Sequence, residues 1–224
     1  MLTKEAIQFI EDLSKNNNTE WMHAHKKRYE SYKKDYHHFI ATILDAMKPL
    51  DASLDPLEVK NCTFRINRDI RFSKDKSPYK TNIGVWLTTN KLRKNSPGYY
   101  IHFEKGNSFI AGGVWCPEKD DLKKIRKEIA FFYEDLEEIV SDKQFKLAFG
   151  NITVEEGQVL KTAPKGYDPD HPAIEFLKLK SFTVSQKIED SLFTEAAFAK
   201  KIVEKLILIQ PFNNFLTRAL ETEE

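Results

Sequence analysis

The period of the apolar residues changes twice along the chain, and this most narrows what it can fold into. Trp21, His25, Arg28/Tyr29, Tyr32, Tyr36, Phe39/Ile40, Ile43/Leu44 and Met47 recur at steps of three and four, which places them on one helix face. Such a stripe reads first as a core-facing surface, aromatic in its first half. From about residue 58 to 115 the period becomes two. Cys62, Phe64, Ile66, Ile70 and Phe72 share one parity, and Thr63, Arg65, Asn67, Asp69 and Arg71 the other. That is strand alternation with one apolar face. From Glu118 the period is helical again, with Leu122, Ile125, Ile129, Phe132, Leu136 and Ile139 as the expected buried stripe.

Helical ends around a central run of strands predict an α+β fold. Ile83, Val85 and Leu87, then Tyr99, Ile101 and Phe103, then residues 109–115 read as further strands. Lys105-Gly106-Asn107 suits a hairpin turn, because glycine supplies the positive φ such turns need. Short connections imply antiparallel neighbours. The expected architecture is an antiparallel meander of about five or more strands, packed with long helices from both chain ends. Thr3 is placed to cap the first helix and Asn16-Asn17-Asn18 to end it. Asp170 is placed to cap a helix over 173–178, 181–187 reads as a strand, and Pro211 interrupts the last helix. Neither an internal repeat nor a linker-like stretch is present, so 1–224 reads as a single domain.

Charge is nearly balanced at +1, so no global field attracts nucleic acid. Its distribution is uneven: residues 60–80 carry a net +5, leaving −4 on the rest of the chain. Two cysteines, Cys62 and Cys116, form neither a C-x-x-C pair nor a disulfide framework, which fits a reducing, cytoplasmic setting. No apolar run reaches membrane-spanning length, and the first residues lack the pattern of a signal peptide.

The local positive charge lies in Arg65-Ile-Asn-Arg68-Asp69-Ile-Arg71-Phe72-Ser-Lys-Asp-Lys76-Ser-Pro78-Tyr79-Lys80. If 63–72 is extended, Arg65, Asn67, Asp69 and Arg71 share a side, with Arg65 and Arg71 about 20 Å apart. Asp69 is then placed to orient Arg71. Arg68 falls on the apolar parity and needs a bulge or a partner. Planar guanidinium forks suit phosphate or carboxylate, and lysine adds a mobile point charge. The expected anion-binding set is Arg65, Arg68, Arg71, Lys76, Tyr79 and Lys80.

This stretch resembles the signature R-x-x-R-D-x-R-F-x-x-x-K-x-P-Y-K of an uncharacterised family, the domain of unknown function 2461, found in bacteria and some fungi. Arg65, Arg68, Asp69, Arg71, Phe72, Lys76, Pro78, Tyr79 and Lys80 fill every fixed place. The runs at 164–172 and 177–182 also look family-like, and the similarity extends over nearly the whole chain. The resemblance implies a shared site in this segment and supplies no activity.

Whether the chain is an enzyme is left open by the sequence. The residue types offer Asp69, Tyr79, Lys80 and His102 as candidate catalytic groups, with Glu104 orienting His102. Asp168, Asp170 and His171 lack metal-ligand spacing, and no fingerprint for a cofactor is present. The first functional reading is a binder of, or enzyme on, a small phosphorylated or acidic molecule. A second is a structural or protein-interaction domain whose Arg segment is an internal ion-pair network. A third is nucleic-acid binding, with Lys91-Leu-Arg93-Lys94 and the aromatics Trp86 and Tyr100 assisting.

Overall fold

In the computed structural model, which describes residues 1–88 and 96–222, four strands pair in sequence order. They are β1 (Ile83–Leu87), β2 (Gly98–Phe103), β3 (Phe109–Val114) and β4 (Phe182–Lys187), in an open antiparallel sheet. The α+β class expected from the change of period is found. The hairpin between β2 and β3 turns where expected: Gly106 has φ +75°, and Asn107 N–H donates to the Glu104 carbonyl at 2.8 Å.

The expected strand over 63–72 does not form, and among the described residues the sheet has four strands, not five or more. Thr63 meets Val85 by a single antiparallel bridge, and Trp86 N–H donates to the Cys62 carbonyl. Beyond that, Asn67 bridges Tyr79 while Arg68 N–H donates to the Pro78 carbonyl and Lys80 N–H to the Ile66 carbonyl. The chain therefore leaves β1 after one contact and folds back on itself. It forms a short ribbon with residues 69–77 as its tip.

The chain divides into two compact units. The first comprises residues 1–87, 100–109 and 187–204. It holds α1 (Lys4–Lys15), α2 (Thr19–Ala24) and α3 (Lys26–Met47). Thr3 caps α1, its hydroxyl accepting from Ala6 N–H, and Asn18 caps α2 through Trp21 N–H. The long second helix expected from Trp21 onward is broken at His25, which separates α2 from α3. Phe39, Phe103, Phe193 and Phe198 pack ring on ring in the core of this unit, with centroids 4.8–6.2 Å apart. Rings at such distances add to the burial of their apolar area.

The second unit comprises residues 88–99, 110–186 and 205–224, of which 88, 96–99, 110–186 and 205–222 are described. The helical stretch from Glu118 is two helices, α4 (Lys119–Phe131) and α5 (Tyr133–Ser141), broken at Phe132. The break shifts the register. Ile125, Ile129 and Leu136 are buried as expected, but Phe132 is exposed and Val140 replaces Ile139 in the core. It also places Glu134 and Asp135 in the first turn of a new helix, where negative charge is favourable. α6 (Lys143–Phe149) and α7 (Ile174–Leu177) follow. Asp170 does not cap α7: the ring of His171 accepts from Ala173 N–H at 3.0 Å, and Asp168 accepts from Asp170 N–H. Between α8 (Phe198–Leu206) and α9 (Gln210–Glu221) lies a 3-10 turn, with Pro211 opening α9 where its missing N–H costs nothing. Arg218 of α9 pairs with Glu128 of α4 and with Asp135 of α5.

Candidate functional site

The ribbon formed by 66–68 and 78–80 sorts the basic residues by position. At its base, Arg65 and Lys80 are brought side by side by the Lys80-to-Ile66 backbone bond. Both line a cleft of about 690 Å³ within the first unit, together with Arg68, Asp69 and, from α3, Lys33. At its tip, Arg71 is 76% exposed and Lys76 donates to the Ile70 carbonyl, and neither lines the cleft. Tyr79 is buried, held by a reciprocal pair of backbone bonds to the Asn17 amide, and is not part of the cleft wall. Of the six residues expected to hold an anion, Arg65, Arg68 and Lys80 are brought together. The Lys91-Leu-Arg93-Lys94 stretch lies outside the described residues.

The cations differ in how far their charge is already answered. Arg71 is held by both oxygens of Asp69, at 3.0 and 2.7 Å. Arg68 pairs with Asp75 and donates to the Ser77 carbonyl at 3.1 Å, which meets the need for a partner raised by its parity. Asp75 is held down to about 2 by hydrogen bonds from the Ser77 hydroxyl and N–H, then from Arg68. Among the described residues, no hydrogen bond or ion pair engages the Arg65 guanidinium. The Lys80 ammonium has no carboxylate; it sits 5.0 Å above the Phe64 ring. Burial, and secondarily the Arg65 charge, lower its pKa from the ordinary lysine value. Asp69 is the one acid in the cleft wall, and Arg71 occupies both its oxygens.

The lining is also aromatic, from a stripe whose period assigns it to the core. Tyr29, Tyr32 and Tyr36 follow one another at helical spacing on α3, with centroids 6.3 and 6.0 Å apart, and all three reach the cleft. The stripe is a core stripe, as its period says, with Tyr32 and Tyr36 buried, and it also lines the cleft. Tyr36 fastens the site: its hydroxyl donates to the Gly84 carbonyl and accepts from Phe64 N–H at 3.2 Å. Burial pushes the Tyr36 phenol up to about 12, so it stays protonated. Gly84 makes room for the floor. A Cβ there would lie 2.9 Å from the Tyr100 hydroxyl and 3.2 Å from the Phe64 ring. Gly112 does not play the same part, because a Cβ there would run into Ile209, 2.5 Å away.

His102 stands behind the cleft, not in it. It is buried, stacks on Phe109 at 4.7 Å, and its Nδ1 lies 2.9 Å from the Tyr100 hydroxyl. Its Nε2 is 3.6 Å from Glu104 Oε2. Burial lowers the His102 pKa against the opposing pull of Glu104, which favours the neutral ring. With Nε2 protonated toward Glu104, Nδ1 accepts from Tyr100. The group that this chain of residues presents to the cleft is Tyr100, whose phenol is pushed up by burial. Glu104 and His102 share a face as the alternation predicts, with Tyr100 as their outlet. No cluster of His, Cys, Asp and Glu suited to a metal occurs among the described residues. Among the described residues, no helix is long and apolar enough to cross a membrane.

An α+β chain with a basic ribbon, its base opening on an aromatic wall, is thus defined. It belongs to the family of conserved hypothetical proteins DUF2461, whose profile matches residues 5–215. No curated protein and no solved structure matches the chain.

Proposed function

We propose that the cleft binds a small anionic molecule, of the phosphate or carboxylate class, through Arg65, Lys80 and Arg68. The observation that carries this reading is the pair Arg65 and Lys80. These two cations line one cleft at the base of the ribbon, with no carboxylate of their own among the described residues. A half-buried lysine with a depressed pKa gains from an arriving negative charge, which restores the stability of its ammonium form. Lys33, paired with Glu30 at 3.5 Å, lines the cleft from α3. Tyr100, its own proton directed at His102, can accept a hydrogen bond from a ligand hydroxyl and, with His102 behind it, take up that proton.

The competing reading, an internal ion-pair network, draws on Arg68–Asp75 and Arg71–Asp69. It gives Arg65 and Lys80 nothing to do. A nucleic-acid surface is less well supported, because the cleft has the volume of a small-molecule site. The uninterrupted family match from 5 to 215 supports treating the chain as one domain. The cysteine usage supports a cytoplasmic setting. The test is thermal melting with phosphate, sulfate and citrate at constant ionic strength. At least one should raise the wild-type midpoint in a saturable manner and fail to do so in Arg65→Ala. Equal response of the two proteins, or none in wild type, would remove the proposal.

A further inference from the structure

We infer that the occupant of this cleft is a mononucleotide, a planar base joined through a sugar to a phosphate; the inference rests on the anion-binding reading above. Binding a bare inorganic anion needs the cations alone. The cleft has more: the Phe64 ring lines it while 41% exposed. A large apolar ring left open in a wall of lysines and arginines is matched by a ligand with an aromatic face of its own.

The placing of the ammonium groups points the same way. Lys80 Nζ sits 5.0 Å from the centroid of Phe64, and Lys33 Nζ 5.8 Å from that of Tyr29. Each cation faces the negative face of a ring; Lys33 is in addition paired with Glu30 at 3.5 Å, whereas Lys80 has no carboxylate among the described residues. A phosphate competes for those ammonium groups far more strongly than a ring does, so its arrival draws them off and uncovers the ring faces for a base. One ligand carrying both groups makes the two exchanges together. Asn82 also lines the cleft, and among the described residues its amide makes no hydrogen bond. An amide carries a donor beside an acceptor, the pattern that pairs with a base edge. At about 690 Å³ the space suits one nucleotide, not a strand of several.

The experiment is calorimetric titration of the intact chain with inorganic phosphate, ribose 5-phosphate, AMP and CMP, on wild type, Phe64→Ala and Tyr29→Leu. AMP or CMP should bind about tenfold or more tighter than ribose 5-phosphate, the gain expected when a base stacks on a ring. That gain should be lost in Phe64→Ala, whose exposed position leaves the fold intact, or in Tyr29→Leu. If phosphate and ribose 5-phosphate bind but neither nucleotide gains, the mononucleotide inference is overturned and the anion reading stands. A gain that survives both variants overturns it equally. If none of the four binds, both readings fall together.

Discussion

Arg71 donates to both oxygens of Asp69, and Asp69 is the acid in the cleft wall. On the proposed anion-binding reading, Arg71, 76% exposed at the tip, acts on the site without lining it, by occupying a carboxylate that would otherwise repel an anion. Arg71→Ala should weaken phosphate binding severalfold, and adding Asp69→Asn in the same chain should restore it; titration of the two variants checks this. A direct role for Arg71 predicts no rescue. Asp75 gives a pH signature. Its folded pKa of about 2 lies below the ordinary aspartate value. Its contribution to stability is therefore complete above about pH 4 and is lost as the pH falls toward 2. Asp75→Asn should flatten the acid limb of the unfolding curve in that window. The need of Arg68 for a partner was legible from its parity. That Arg65 and Arg71 part company was not, because it depends on where the chain folds back.

At the scale of elements, the helical stretches and the later strands could be read from their periods, whereas the segment at 62–72 could not. Its alternation is that of a strand, yet pairing requires a neighbour along its whole length. Here the backbone finds β1 only at Thr63 and then its own return at Asn67 and Tyr79. The break at Phe132 escaped for the opposite reason: the apolar period continues across it, so nothing marks the change of register. The aromatic wall was hidden because a residue can serve the core with one edge and a cleft with the other, and periodicity records only the first. Tyr36 ties the segment leading into the ribbon to β1, with its hydroxyl bonded to Gly84 and Phe64. Tyr36→Phe leaves a buried carbonyl and an N–H without that partner and should cost roughly 1–3 kcal/mol in urea unfolding. It should also loosen phosphate binding, since the two walls lose their tie. Unchanged stability would mean the hydroxyl is not the fastening.

For the whole molecule, a motif that looks like one continuous basic patch divides into a base that lines the cleft and a tip that does not. The net charge of +1 makes this division matter. With no general positive field, affinity for anions has to come from a few converging groups, and charge-assisted bonds of about 1.5–3 kcal/mol each can supply it. The measurement that bears most directly on this is calorimetric titration with inorganic phosphate of wild type, Arg65→Ala and Lys80→Ala at fixed ionic strength. A saturable single site in wild type, weakened about tenfold or more by either substitution while the melting temperature without ligand is unchanged, is the predicted result. Wild type without a saturable site, or either variant binding phosphate as wild type does, would contradict the assignment of the cleft.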